Sequence, residues 1–115
     1  MTEIPDEVGN DEPLHRRIHP TFVQPDGRIS SQAFKDPEMS VDRAQYTSIE
    51  QTVLGYETYG VAEFLTEEAR ELGQEVVADK ELLNQAHALV RGNKSKRTAR
   101  RLARLSHWAK PIELS

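Results

Sequence analysis

From Leu14 onward the apolar positions first alternate as in strands and later recur as in helices. In LHRRIHP an extended backbone puts Leu14, Arg16 and Ile18 on one face and His15, Arg17 and His19 on the other. Pro13 and Pro20 bracket the stretch and leave little room for a helix. Short apolar runs predict further strands at Phe22 to Gln24, Met39 to Val41, Val61 to Phe64, Glu75 to Ala78 and His87 to Val90. Pro25-Asp26-Gly27 is a turn signal, and KDPEM is a second break because Pro37 restrains the residue before it. Ser48 is placed to open a short helix over IEQTVL.

Two later segments read as helices. Thr66 is positioned to cap LTEEARELG; Glu67 and Glu68 fall in the first turn, where free amides favour anions, and Gly73 suits the exit. SKRTARRLARLSHWAK keeps a 3.6-residue period from a Ser95 cap to the stop at Pro111, which predicts a helix over Thr98 to Trp108. That period gathers Arg97, Arg100, Arg101 and Arg104 on one side and sets Leu102, Leu105 and Ala109 opposite them. Trp108 falls close to the arginines. Strands mixed with short helices predict one small α+β domain over residues 14–110, with a short mixed sheet and a basic amphipathic C-terminal helix. Residues 1–13, polar and proline-bearing, are expected to form a flexible acidic arm, and 111–115 a short tail.

A chain of 115 residues supports one modest core. It has no cysteine, which excludes disulfides, thiolate zinc sites and thiol chemistry. The acidic start lacks an apolar signal core and no later run is long enough to span a bilayer, so the expected setting is cytoplasmic, without membrane contact. The net charge of -4 conceals a division. Residues 1–90 hold 18 acidic and 7 basic side chains, whereas residues 91–110 hold 8 basic ones and no acidic one. A basic helix on an acidic body points to an anionic partner, either nucleic acid or an acidic protein surface.

The candidate chemistry is sparse. His15 and His19 lack a third ligand, no HExxH follows, and two arginines between them oppose a cation, so neither a metal nor a cofactor is expected. Arg17 can hold a phosphate or carboxylate with its fork of donors, and the hydroxyls of Ser31 and Ser40 can approach the same ligand. His19, His87 and Ser31 are the candidate catalytic groups, with histidine as the proton carrier. Each also has an ordinary structural use, since serines beside breaks cap turns and a histidine at a strand mouth is commonly satisfied locally. No GxSxG elbow accompanies either serine.

The blocks LHRRIHP, GRISSQAF, MSVDRA and QAHALVRGNKSKRTARRLA resemble those of a group of small uncharacterised bacterial proteins that share RRIxP, SSxAF, SVD and a final AHALVxG–KSK helix. The resemblance covers most of residues 14–108 and brings no activity with it. An arginine strand followed by a serine-bearing strand is also similar in layout to ADP-ribosyltransferase-like toxins. No catalytic glutamate can be assigned for that chemistry, although Glu57, Glu63 and Glu75 are present.

The leading expectation is a binding or accessory module that contacts nucleic acid or an acidic protein through Lys94, Lys96, Arg97, Arg100, Arg101, Arg104 and Trp108. Two alternatives accompany it. One is an enzyme or ligand-binding domain acting on a phosphorylated or nucleotide-like substrate through an Arg/His/Ser pocket. The other is a structural protein-interaction module.

Overall fold

LHRRI is a strand, and its alternation sets which way the sheet faces. A computed structural model, which describes residues 3–112, places strand β1 at Pro13–Ile18 with Leu14 and Ile18 fully buried. The other strands are β2 Glu38–Arg43, β3 Gly60–Leu65, β4 Glu75–Ala78, β5 His87–Arg91 and β6 His107–Lys110. They form one six-stranded sheet in the order β4-β5-β2-β1-β3-β6. The architecture is α+β, as the sequence pattern predicts, but every strand pair is antiparallel rather than mixed.

Helices α2 (Thr66–Glu71) and α3 (Lys96–Leu105) and a 3₁₀ turn over Ser31–Phe34 cover one face. The core lies between them, with Leu14, Ile18, Met39 and Val90 from the sheet meeting Phe34, Ala69 and Leu102. Phe34 meets Phe64 edge to face at 6.3 Å, an arrangement the ring quadrupoles favour. Across the other face run a single-turn helix, α1 (Ile49–Thr52), and the loop leading into β5. Ser48 caps α1 by accepting from the Gln51 amide, as its position predicts. No helix among the described residues is long and apolar enough to cross a membrane.

Four local expectations change. The C-terminal helix stops at Leu105 instead of continuing to Trp108, because Ser106 turns extended while its amide and hydroxyl still donate to the Leu102 carbonyl. HWAK then becomes β6 and pairs with β3, which packs the Trp108 ring against the core. Gly60 makes room for this docking, since a Cβ there would lie 2.6 Å from the Trp108 ring. Leu105, expected to hold the helix down, is instead 40% exposed, and Ala99 and Leu102 anchor the helix in its place. Phe22 to Gln24 is the end of a 3₁₀ turn followed by an isolated bridge, Val23 to Ile29, rather than a strand. Thr66 does not cap α2: its hydroxyl donates to the Glu12 carbonyl.

Of the acidic N-terminal stretch expected to be a loose arm, the part from Pro5 to Glu12 is pinned to the domain. Val8 is buried, and the Glu12 carboxylate receives the Nε and Nη2 donors of the fully buried Arg43 at 2.8 and 2.7 Å. Arg43 also donates to the carbonyls of Pro5 and Glu7 and lies over the Tyr46 ring. A buried guanidinium needs this full set of acceptors, which explains why the arm folds back onto it.

Candidate functional site

Helix α3 and the loop from Gln24 to Ser31 face each other across a groove of about 570 Å³. The Pro25-Asp26-Gly27 turn shapes the loop side, with Gly27 at a φ of 85° and its amide donating to the Gln24 carbonyl. Arg100 and Arg104, one helical turn apart, form the opposite wall, and Arg28 stands on the loop. Trp108 closes the end of the groove, its indole Nε1 donating to the Gly27 carbonyl at 3.2 Å. Among the described residues that line the groove there are three arginines and His107, and none is acidic. Asp26 lies beside Arg28 at 3.2 Å; Arg100 and Arg104 have no acidic partner among the described residues.

The predicted basic ridge therefore divides. Arg100 and Arg104 face the groove, while Arg97, Arg101 and Lys96 are exposed elsewhere on α3. Lys94 is not part of the exposed surface. It is buried, and its ammonium donates to the carbonyls of Val90 and Gly92 at 2.8 and 3.1 Å. Burial lowers its pKa to about 8; Asp36 opposes the shift and Arg16 adds to it. Below about pH 8 the buried charge weakens the fold, and between 8 and the ordinary lysine value the folded chain loses its proton first. Stability contributed through Lys94 should thus rise with pH across that window, by no more than about 3 kcal/mol at about 1.4 kcal/mol per pKa unit. Urea unfolding from about pH 7.5 to about 10.5 should show this rise in the wild type and a flatter profile in Lys94→Met. Equal slopes would contradict it.

A second constellation runs across the sheet on the face away from α3. Adjacent strands pair His107 with Glu63, Glu63 with His15, His15 with Asp42, and Asp42 with His87. Asp79 extends the row, its amide donating to the His87 carbonyl. Histidines and carboxylates alternate from edge to edge. Glu63 receives an Nε2–H bond from His15 at 2.8 Å, and its other oxygen lies 3.1 Å from His107 Nε2. His87 Nδ1 lies 3.0 Å from the Asp79 carbonyl and 3.1 Å from its carboxylate. A carbonyl can only accept, so Nδ1 carries the hydrogen and Nε2 is left free.

His15, Arg17, Ser40, Asp42, Asn84 and His87 line a cavity of about 220 Å³ in the middle of this row. Arg17, Ser40 and His87, expected at a ligand site, do come together there. His19 and Ser31 do not. His19 caps the turn at Thr21 and packs against Tyr59, and Ser31 belongs to the arginine groove. The candidate catalytic set His19, His87 and Ser31 is therefore not one site. Glu63 takes part in the row, while Glu57 and Glu75 lie outside both cavities.

The same geometry bears on metal binding. Asp79, Glu81 and His87 bring one ligand atom each within 4.8 Å of one another, but the His87 nitrogen nearest those carboxylates is the one bonded to Asp79. His15 and His19 engage different partners and offer no two-point grip.

Arg28, His107, Asp42 and Asn84 are not singled out as site residues by the sequence pattern, whereas alternation in LHRRIHP puts His15 on the face of Arg17. Alternation in MSVD likewise places Ser40 and Asp42 on one face, which is a readable signal for Asp42. Comparisons with protein-family models, curated proteins and solved structures give no match to this chain.

Proposed function

We propose that this protein is a nucleic-acid-binding accessory module that holds a single-stranded phosphate backbone in the groove beside α3. The observation that carries the reading is the groove's lining: Arg28, Arg100 and Arg104 converge on a concavity with no acidic wall, in a chain whose net charge is -4. Guanidinium forks match phosphate oxygens in pairs, and two arginines one turn apart can follow successive phosphates. Trp108 supplies an aromatic wall against which a base can pack. The acidic remainder of the surface would repel a polyanion and so confine it to this groove. A concave site with an aromatic end suits a nucleotide chain better than the flat complement of an acidic protein.

The test is an NMR titration with a short single-stranded oligonucleotide, with an acidic peptide as a parallel arm. The oligonucleotide should shift the Trp108 indole and the Arg100 and Arg104 side-chain signals while leaving Arg17 and His87 in place. Shifts confined to other surfaces would overturn the reading. Binding of the peptide alone would reassign the groove to a protein partner.

A further inference from the structure

The cavity between β1, β2 and β5 carries a different chemistry from the groove. We propose that it is a second, independent site that takes a hydrogen-bearing phosphoryl group, on inorganic phosphate or on a small phosphomonoester. Its walls offer donors and acceptors together, a combination that a fully deprotonated oxyanion does not need and a protonated phosphoryl does.

The donors come from Arg17 and the acceptors from the histidine–carboxylate row. Arg17 is exposed at the rim, 4.2 Å from the Tyr56 ring centroid, and gives one donor to the Thr52 carbonyl at 3.2 Å. A guanidinium has five N–H donors, so most of its fork is left for phosphoryl oxygens. Asp42 lies deeper. It already accepts from the Thr52 hydroxyl at 2.7 Å and the Asn84 amide at 2.8 Å, and each of its oxygens keeps acceptor capacity. The exposed Glu81 carboxylate lies on the same wall.

His15 is the group that asks for an occupant. Its side chain is 9% exposed, its Nε2 is held by Glu63, and its Nδ1 is buried with no partner among the described residues. With the hydrogen on Nε2, that nitrogen is a bare acceptor, and leaving such an atom unsatisfied in a buried position is costly. A P–OH hydrogen supplies what His15 Nδ1 or Asp42 can take, while the unprotonated phosphoryl oxygens turn to Arg17. His87 is fixed by Asp79 through Nδ1 and lines the same space. Sulfate has the same shape as phosphate and similar charge, but near neutral pH it has no hydrogen to give. Against Asp42 and Glu81 it meets only repulsion. The site should therefore separate two anions that arginine alone would not.

Wild-type protein should be titrated at about pH 6.5, where inorganic phosphate and part of a phosphomonoester still carry a P–OH hydrogen, with inorganic phosphate, glycerol phosphate and sulfate at matched ionic strength and the imidazole C–H signals of His15 and His87 as the NMR readout. Phosphate or glycerol phosphate should move both signals saturably, and sulfate should bind at least tenfold more weakly. A preference for glycerol phosphate over inorganic phosphate would name the ester as the natural form, and the reverse would name the free ion. Arg17→Gln should weaken phosphate binding by at least tenfold, whereas Arg100→Glu/Arg104→Glu should leave it unchanged, which separates this site from the groove. No saturable shift, equal response to sulfate, or equal loss in the groove variant would each overturn the proposal. The sulfate comparison needs no variant, so a folding defect in Arg17→Gln would not shield it.

Discussion

Glu12→Gln should destabilise the fold by about 3–5 kcal/mol, the cost of leaving one partner of a buried ion pair alone. The reason is the position of Arg43. Its side chain is fully buried in the structure, and Glu12 supplies the only carboxylate among the described residues within its reach. The amide of the substituted side chain could still accept a hydrogen bond, but the guanidinium charge would have no counter-ion in a medium where charge is costly to bury. The same pair predicts acid sensitivity. Burial pushes the Glu12 carboxyl up, yet the hydrogen bonds from Arg43 and the Gly9 amide, with the Arg43 charge, hold it below its ordinary value. A depressed carboxyl stabilises the fold above the usual carboxylate range, and that contribution is lost as pH falls through the lowered value. Urea midpoints should fall for Glu12→Gln at neutral pH and converge with the wild type in acid. A loss below about 1 kcal/mol at neutral pH would show that Arg43 is satisfied by the carbonyls of Pro5 and Glu7 and not by the charge.

Arg100→Glu/Arg104→Glu should weaken oligonucleotide binding by more than about tenfold while the fold persists. Both side chains are exposed, and Ala99 and Leu102 anchor the helix from its other side, so reversal removes contacts without opening a cavity. Arg97→Glu/Arg101→Glu is the matched control. It makes the same change in net charge on the same helix but outside the groove lining. Salt screens exposed charges that touch no phosphate, so this control should lose about threefold or less. Equal losses in the two variants would mean that α3 attracts anions by charge alone and that the groove has no special part.

Much of the framework can be read along the chain because it rests on local rules. Leu14 and Ile18 alternate into the core, Ser48 and Ser95 cap their helices, and Gly73 ends α2 with a φ of 83°. The end of α3 reads wrongly from sequence because Leu105, Trp108 and Ala109 keep a helical spacing that is coincidental. The open edge of β3 and a place for the indole in the core decide the matter, and neither is visible in one segment. Arg43 gives no signal because arginine is ordinarily exposed, and only the returning N-terminal stretch gives it acceptors. The cross-sheet row is hidden for a related reason. His15, Asp42, Glu63 and His87 meet through strand register, which depends on pairings between distant parts of the chain. For the groove, the arginines of α3 are legible and the loop opposite them is not. Arg28 and His107 join the site only once the turn at Gly27 lies against α3.

The groove is tested most directly by fluorescence anisotropy of a labelled single-stranded oligonucleotide, titrated with wild type and with Arg100→Glu/Arg104→Glu from about 50 to about 300 mM salt. Each phosphate contact on a single strand contributes roughly 0.7 to the slope of log affinity against log salt. The wild type should show saturable binding with a steep slope, and the double variant should bind more weakly with a slope shallower by about 1.4 or more. Wild-type binding that is absent at the lowest salt, or a slope unchanged by the double substitution, would contradict the account.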